Sequence, residues 1–164
     1  MKVIAVMPAF REEGRISAAI LGIRPLVDAI VVVDDGSGDA TAERAKEAGA
    51  VVLRHSLNRG QGAALRTGTE AALKLGADII LHVDADGQHD PEYVPALLEP
   101  VRQGNVDVVF GSRFLGSESE YIPFTRRMVL AAAKRFNAFA LGIPHRVTDP
   151  QSGLRAMTAD AART

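Results

Sequence analysis

The feature that most constrains the fold is a regular alternation of short β-branched runs with helical patterns up to Phe110. Strands are predicted at Val3–Met7, Ala29–Asp34, Val51–Arg54, Asp78–Val83 and Val106–Phe110. Helices are predicted between them, at Arg15–Ile23, Thr41–Ala48, Gln61–Leu75 and Pro91–Gln103. Because the run Ala29–Asp34 is apolar almost throughout, it is typical of a strand covered on both faces. The alternation predicts an α/β fold, with a mostly parallel sheet and helices on both of its faces.

The pattern changes beyond Phe110. Residues 116–121 are polar and turn-like, which predicts a loop. Arg126–Leu141 has the apolar spacing of an amphipathic helix with a basic face, which either is solvated or meets an anionic acceptor or lipid headgroups. Because no closing element follows the last motif, we expect one domain, residues 1–164, that is truncated at its C-terminus.

Composition excludes several classes of protein. The 164 residues include no cysteine, which rules out disulfides, thiolate metal sites and a cysteine nucleophile. A formal net charge of −1 gives no bulk attraction to nucleic acid, so no nucleic-acid partner is expected. No apolar run approaches the roughly 20 residues of a membrane-spanning helix, and no cleavable signal pattern precedes the first strand. These features predict a cytoplasmic protein.

Residues 84–90, with the sequence Asp-Ala-Asp-Gly-Gln-His-Asp, carry the strongest chemical signal. They follow the apolar run Asp78–Val83 directly, and a turn just past a strand can bring Asp84 and Asp86 together. Two such carboxylates would repel each other, and a divalent cation removes the repulsion. Oxygen ligands suit Mg²⁺ or Mn²⁺, and such an ion usually keeps positions for substrate phosphates. The segment predicts metal-assisted phosphate chemistry, with Gln88 as a neutral oxygen ligand.

Each of the predicted strands is followed by a polar cluster. These clusters are Pro8–Glu13, residues 34–37, residues 55–62, the acidic pair and residues 111–113. Since ligands of open parallel sheets bind beyond the carboxyl ends of the strands, we expect one shared active site. Each cluster alone also has a simpler interpretation, because Asp, Gly and Ser are ordinary turn residues and residues 58–62 could simply start a helix.

Of the four histidines, one is a candidate for chemistry. His82 lies inside a predicted strand, which favours a packing or structural role. His55 and His145 are predicted to be structural or exposed. His89 adjoins the acidic pair and is a candidate contact of a phosphate or a metal ion.

Six motifs occur in order along nearly the whole chain. They are PAFREE at 8–13, VVVDDGSGDAT at 31–41, NRGQGAALRTG at 58–68, DADGQHDP at 84–91, GSRF at 111–114 and TDPQSGLRAM at 148–157. Together they resemble family 2 glycosyltransferases of the GT-A fold, in the branch of dolichyl-phosphate mannose synthase and bacterial polyprenyl-phosphate sugar transferases. The resemblance implies a GT-A sheet, a nucleotide-sugar-binding half at residues 1–115 and an acceptor-side half at residues 116–164.

The resemblance also implies a donor site for a GDP- or UDP-sugar. Its nucleotide-binding residues would be Pro8, Ala9, Phe10, Glu12, Asp34, Asp35, Gly62, Asp84 and Ala85. Asp35 would read the base, and the first four residues would line the base and ribose pocket. Mg²⁺ or Mn²⁺ on the donor diphosphate would be held by Asp84, Asp86 and Gln88.

The acceptor implied by the resemblance is anionic, a polyprenyl or dolichyl phosphate reached through peripheral contact at the cytoplasmic face of a membrane. Its phosphate would be bound by Arg113, Arg127, Ser152 and Arg155, with Arg126 an equal alternative to Arg127. Leu154 stands where an aromatic residue is common in the family. Arginine forks suit bidentate binding of phosphate.

The implied reaction inverts the anomeric centre, and its catalytic candidates are Asp86, Arg113 and Asp149. Negative charge develops on the departing nucleoside diphosphate, and a cation on its oxygens stabilises that charge. A phosphate acceptor is already ionised and needs no general base. A hydroxyl acceptor would need one, and Asp149 is the candidate.

Three alternatives stay open. A receiver-type regulatory domain shares the doubly wound sheet and an early acidic pair, although the spacing at 84–88 and the PAFREE segment fit it poorly. A sugar-1-phosphate nucleotidyltransferase would carry a glycine-rich loop with Arg and Lys after the first strand, and Pro8–Glu13 lacks that loop. A truncated domain that binds nucleotide and metal without turnover is the third alternative.

Overall fold

The computed structural model describes residues 1–87, 90–111 and 153–164. The chain forms two compact units, one of residues 1–109 with 153–164 and the other of residues 110–152. Several predictions lie outside the described residues. They are the loop at 116–121, the helix at 126–141, and the roles of Gln88, His89, Arg113, Arg126, Arg127, His145, Asp149 and Ser152.

Strands and helices alternate along the described residues. The strands are β1 (Val3–Ala9), β2 (Ala29–Asp34), β3 (Val51–Arg54), β4 (Ile79–His82), β5 (Val108–Phe110) and β6 (Arg155–Thr158). The helices are α1 (Ile16–Ile23), α2 (Thr41–Glu47), α3 (Gln61–Lys74) and α4 (Val94–Arg102), with 3₁₀ turns at Arg24–Leu26, Pro91–Tyr93 and Ala161–Arg163. The nine predicted elements are confirmed with bounds that differ by at most three residues, and the largest difference is the start of α4, which follows the 3₁₀ turn at Pro91–Tyr93.

The strands form one six-stranded sheet in the order β3-β2-β1-β4-β6-β5. β1 pairs in parallel with β2 and β4, and β2 pairs in parallel with β3. β6 runs antiparallel to β4, with Arg155 opposite His82. This mostly parallel α/β sheet confirms the predicted fold class. β6 itself was not predicted, because it is four residues long and its sequence, RAMT, has no apolar alternation.

Side chains of β1 alternate between the two faces of the sheet. Val3, Ala5 and Met7 pack with α1 and α4 in one buried cluster. Ile4 and Val6 pack with α3 in the other. The sheet is therefore covered on both faces, as the apolar run of β2 predicted.

The chain changes direction across the sheet next to β1, because β2 and β3 lie on one side of β1 and β4 lies on the other. Sheets of this kind bind ligands at such a switch point, beyond the carboxyl ends of the strands. The residues that follow β1, β2 and β4 are accordingly placed to form a site.

Candidate functional site

A cleft of about 450 Å³ opens where β1, β2 and β4 end. Its walls are formed by Pro8, Ala9, Phe10, Glu12, Asp35, Asn58, Gly60, Gln61, Ala64, Asp84, Ala85 and Asp86. Seven of the nine predicted nucleotide-binding residues line this cleft, as do the two acidic metal candidates. Sequence reasoning did not assign roles to Asn58, Gly60, Gln61 and Ala64, although three of them belong to the NRGQG segment it had singled out.

The two predicted nucleotide-binding residues that do not line the cleft are Asp34 and Gly62. Asp34 is fully buried; its Oδ1 accepts a hydrogen bond of 2.9 Å from the backbone N–H of Ser37. The Nε of Arg54 lies 3.0 Å from its Oδ2 and forms an ion pair with it. Asp34 thus fixes the turn after β2 from behind the cleft, and Gly62 faces a separate hollow beside α3.

Asp35 is the deepest acidic residue of the cleft, with 3% of its surface exposed. His55 Nδ1 lies 2.5 Å from Asp35 Oδ1. The backbone N–H of Arg59 donates to both carboxylate oxygens at 3.0 and 3.1 Å, and that of Gly60 donates to Oδ2 at 2.7 Å. Burial alone would raise the pKa of Asp35, but the hydrogen bonds from His55, Arg59 and Gly60 outweigh it and lower that pKa. The carboxylate is held ionised and acts as an acceptor.

The loop at 57–60 reaches Asp35 because of a glycine in the turn after β2. Gly36 has φ +76°, a conformation that side chains with a Cβ rarely adopt. A Cβ at this position would also lie 2.7 Å from the carbonyl carbon of Leu57 and 2.8 Å from the nitrogen of Asn58. A larger residue would push the loop away and separate Asp35 from its backbone donors.

The PAFREE segment after β1 is tied to the turn after β2. The backbone N–H of Arg11 donates to Ser37 Oγ at 2.9 Å, and that of Glu12 donates to Thr41 Oγ1 at 2.9 Å. Phe10 stays 40% exposed at the cleft, with the Arg11 guanidinium 5.1 Å from the centre of its ring. An exposed aromatic face beside Asp35 is suited to stacking against a planar ligand.

Asp84 connects the cleft to two distant parts of the chain. Gln61 Nε2, at the start of α3, donates a 2.9 Å hydrogen bond to Asp84 Oδ1. The backbone of Gly153 approaches so closely that a Cβ built there would overlap the Asp84 carboxylate. Gly153 is thus a functional candidate that sequence reasoning missed. Its only signal was its place between Ser152 and Leu154 in the last motif.

His82 and Arg155 lie opposite each other on β4 and β6, beside Asp84. Arg155 Nε donates to His82 Nδ1 at 2.8 Å, and His82 Nε2 lies 2.9 Å from Thr69 Oγ1. Because the Nε of arginine always carries a hydrogen, the neutral His82 ring must carry its own on Nε2. Burial lowers the pKa of His82 to about 4 with help from the Arg155 charge, while Asp84 opposes the shift. His82 is structural, as predicted.

Arg155 is the one predicted acceptor-binding residue within the described ranges. It lines a hollow of about 790 Å³ between α3 and β6 together with His82, and it does not line the cleft. Burial lowers the pKa of the Arg155 guanidinium, while the carboxylate of Asp84 raises it. The charge of Arg155 therefore acts on the cleft through Asp84.

A divalent cation is compatible with the carboxylates of the cleft. Within residues 1–87, 90–111 and 153–164, no three His, Cys, Asp or Glu side chains gather into a complete protein metal cage. A Mg²⁺ or Mn²⁺ ion that is bound largely by substrate phosphates needs only one or two protein carboxylates. Asp84 and Asp86 supply such oxygens in one cleft.

None of the helices that the structure describes is long and apolar enough to cross a membrane.

Comparison with known proteins identifies relatives of this chain. The family model described as Glycosyl transferase family 2 matches residues 4–160. The UDP-N-acetylglucosamine–dolichyl-phosphate N-acetylglucosaminyltransferase of Methanococcus voltae is 33% identical over 96% of this chain and 70% of the relative. The undecaprenyl-phosphate mannosyltransferase of Micrococcus luteus is 35% identical over 99% of this chain and 69% of the relative.

A solved structure shares the fold. Glucosyl-3-phosphoglycerate synthase from Mycobacterium tuberculosis, crystallised with Mn²⁺, UDP-glucose and phosphoglyceric acid, matches with a TM-score of 0.76 and 28% sequence identity. The match covers 97% of this chain and 57% of that one. The fold of this chain is thus shared with an enzyme that was crystallised with a nucleotide sugar and Mn²⁺.

Proposed function

Because this chain belongs to glycosyl transferase family 2, we propose that it moves a sugar from a GDP- or UDP-sugar to a polyprenyl or dolichyl phosphate. The observation that carries the proposal is that Asp35 and the acidic pair Asp84 and Asp86 line one cleft. The names of two relatives, a dolichyl-phosphate and an undecaprenyl-phosphate transferase, support the class of acceptor.

The donor nucleotide is proposed to lie along the cleft from Phe10 to Asp86. Its base stacks near Phe10 and donates an N–H to Asp35, and its diphosphate lies at the carboxyl end of β4. Asp84 and Asp86, with Gln88, would hold a Mg²⁺ or Mn²⁺ ion, and that ion would supply positive charge to the diphosphate leaving group. Ala85 is buried between the two carboxylates, so the backbone of this turn can approach the ligand closely.

The acceptor phosphate is proposed to enter from the side of the last motif. Arg113 and Arg127 are proposed to bind it directly, helped by Ser152 and Arg155. An ionised phosphate oxygen attacks the anomeric carbon as the bond to the diphosphate breaks, and the anomeric centre inverts. No general base is needed for this acceptor, and Asp149 has that role only toward a hydroxyl acceptor.

We place the enzyme in the cytoplasm, in peripheral contact with the cytoplasmic face of a membrane when it engages a lipid acceptor. The basic segment at 126–135 carries the charges that would meet anionic headgroups. Membership of the glycosyltransferase family favours this function over a receiver-type domain and over a nucleotidyltransferase.

Calorimetric titration tests the donor site. UDP and GDP are each titrated into the protein with Mn²⁺ and again with EDTA. We expect one of the two nucleotides to bind tightly with Mn²⁺ and at least tenfold more weakly with EDTA. Removal of the ion costs the nucleotide at least one contact with a charged group, and one such contact contributes about tenfold to affinity. Binding of neither nucleotide would contradict the proposed site.

Transfer to lipid tests the reaction. The protein is incubated with Mn²⁺, the radiolabelled sugar nucleotide selected by calorimetry, and undecaprenyl or dolichyl phosphate in detergent. Asp86→Asn should lower turnover by about two orders of magnitude, because one carboxylate ligand to the metal is lost. Asp160→Asn, which changes an exposed carboxylate far from the cleft, is the matched control. Metal-dependent nucleotide binding without transfer would favour the binding-only alternative.

A further inference from the structure

His55 lies behind the cleft, where both nitrogens of its ring are engaged. Its side chain is 8% exposed and does not line the cleft. Nδ1 lies 2.5 Å from Asp35 Oδ1, and Nε2 lies 3.0 Å from Thr67 Oγ1. The three side chains form one partly buried chain of hydrogen bonds, from α3 through the residue after β3 to the cleft.

We propose that His55 is a positioning residue, which acts through Asp35 to set the choice of nucleobase. The inference rests on the proposed function, since it assumes that Asp35 meets the base of the donor. His55 itself does not contact substrate. Its role is to fix the plane of the Asp35 carboxylate and to keep an N–H directed at that carboxylate.

The Asp35 carboxylate makes this orientation the favourable one, and the Thr67 hydroxyl is compatible with it. When His55 is neutral, the Thr67 hydroxyl can donate to Nε2, which leaves the hydrogen of the ring on Nδ1, facing Asp35. When His55 is protonated, Nδ1–H still donates to Asp35 and Thr67 accepts from Nε2. The opposite neutral tautomer would place a lone pair of Nδ1 against an oxygen of the Asp35 carboxylate, and this repulsion disfavours it.

The same carboxylate also positions the loop that forms the opposite wall. The backbone N–H groups of Arg59 and Gly60 donate to Asp35, and the next residue, Gln61, donates to Asp84. If Asp35 rotated, the loop would lose its anchor. His55 therefore holds both the acceptor of the base and the backbone beside it.

The chemistry of the base follows from an Asp35 carboxylate that can only accept. Uracil and guanine present a ring N–H on their pairing edge, whereas cytosine and adenine present a bare ring nitrogen there. A fixed, ionised carboxylate binds the first pair and repels the second. Without His55, the carboxylate can turn, so its oxygens no longer face the pairing edge of the base at a fixed angle. Loss of His55 should therefore reduce discrimination, not only affinity.

The test compares three variants with the wild-type protein by calorimetry in the presence of Mn²⁺. His55→Leu removes both ring nitrogens, and His55→Asn keeps a donor near the position of Nδ1. Thr67→Val keeps the shape of the threonine and removes its hydroxyl. The probes are UDP, GDP and CDP, with inorganic pyrophosphate as a ligand that has no base.

For His55→Leu we expect affinity for the preferred nucleotide to fall about tenfold or more, as for loss of a hydrogen bond to a charged group. Its preference over CDP should shrink by a similar factor, and its affinity for pyrophosphate should stay within about twofold. His55→Asn should recover most of the selectivity, and Thr67→Val should lose a few-fold. In the transfer assay, the KM for the donor should rise while kcat changes little.

Unchanged selectivity between the preferred nucleotide and CDP in folded His55→Leu would overturn the inference and leave the proposed function intact. An equal loss of pyrophosphate binding would also overturn it, because His55 would then support the whole site. If His55→Leu does not fold, Thr67→Val decides, and unchanged selectivity there rejects the inference. Binding of neither nucleotide by the wild-type protein would reject the proposed function itself, and this inference with it.

Discussion

A single buried histidine gives the protein an acid-sensitive stability. His82 has a pKa of about 4 in the folded protein, well below its ordinary value of 6.5, because it is buried beside the Arg155 guanidinium. The unfolded chain binds a proton as the pH falls below 6.5, whereas the folded chain does not until about 4. The contribution of neutral, buried His82 to the stability of the folded protein is therefore complete above pH 6.5, and it is lost progressively as the pH falls toward 4.

We predict that the free energy of unfolding falls by on the order of 3 kcal/mol between the upper and lower ends of this window. Urea unfolding at neutral pH and at pH values down to 4 measures the change. His82→Gln stays neutral throughout, so its stability should fall much less over the same interval. Asp35 titrates separately: its pKa is lowered from 3.8, so its contribution is lost only below that value. Equal slopes for the variant and the wild type would contradict this assignment.

Gly153 is expected to tolerate no side chain. A Cβ there would overlap the Asp84 carboxylate, so Gly153→Ala must displace either β6 or the acidic group. We expect a loss of about 1–3 kcal/mol in the free energy of unfolding, as for other overpacked sites. Mn²⁺-dependent nucleotide binding should weaken as well. Gly14→Ala is the matched control, because its new Cβ would meet no atom within 4 Å.

At this scale the sequence predicted the chemical groups better than their partners. The acidic pair and Asp35 were predicted because strand-end carboxylates are conspicuous in a single sequence. His55, Gln61 and Gly153 were not assigned, because each matters through a contact with a residue 20 or more positions away. Such pairings depend on the packing of the sheet, which local patterns do not contain.

Among the elements, α3 packs unusually close to the sheet. Gly68 faces β1 and β2, where a Cβ would overlap Val6 and lie 3.1 Å from Cγ2 of Val33. Both valines are fully buried in β-strands and have no room to move. The absence of a side chain at Gly68 thus sets the distance between this helix and the sheet.

We predict that Gly68→Ala destabilises the protein by up to about 2 kcal/mol. The helix gains about 1 kcal/mol from alanine, but overpacking costs about 1–3 kcal/mol, so the cost prevails. Gly62→Ala on the same helix is the control, since its Cβ would meet no atom within 4 Å and only the helical gain remains. Thermal unfolding of both variants gives the comparison. If Gly68→Ala stabilised the protein, β1 would have to move away from the new methyl group, and the prediction would be wrong.

The strands and helices up to Phe110 were predictable because each carries its own periodicity and is closed by turn residues. β6 was not, since its four residues include a half-buried arginine and show no apolar alternation. Its place is decided by antiparallel pairing to β4, which needs no crossover helix to announce it. The end of the motif at 148–157 therefore lies in a strand of the sheet that the sequence did not predict.

Across the whole molecule, β6 is last in the chain among the described strands and yet lies inside the sheet. It sits between β4 and β5, and the backbone N–H of Thr158 donates to the carbonyl of Asp107 at 2.9 Å. A short 3₁₀ turn, Ala161–Arg163, lies two residues beyond β6. The place of β6 inside the sheet favours high local stability, whereas its late place in the chain favours low local stability.

We predict that the sheet position prevails. Amide hydrogen exchange at Ala156–Thr158 should be about as slow as in β4, whereas exchange at residues 161–164 should be fast. Mass spectrometry of peptic peptides resolves the two segments. Exchange of β6 at the rate of the following turn would mean that this strand opens independently of the sheet. β1, which is central and buried, provides the internal reference for slow exchange.

The position of β6 also has a consequence for the timing of biosynthesis. During synthesis, β1 to β4 and the cleft carboxylates that follow them up to Asp86 leave the ribosome about 70 residues before Gly153 and Arg155. Until then Asp84 lacks the close backbone of Gly153, and His82 lacks the Arg155 donor that fixes its tautomer. A nascent chain therefore carries the acidic groups of the cleft without the neighbours that hold them. The site is complete only after β6, the last described strand, has inserted into a sheet whose other described strands have already been synthesised.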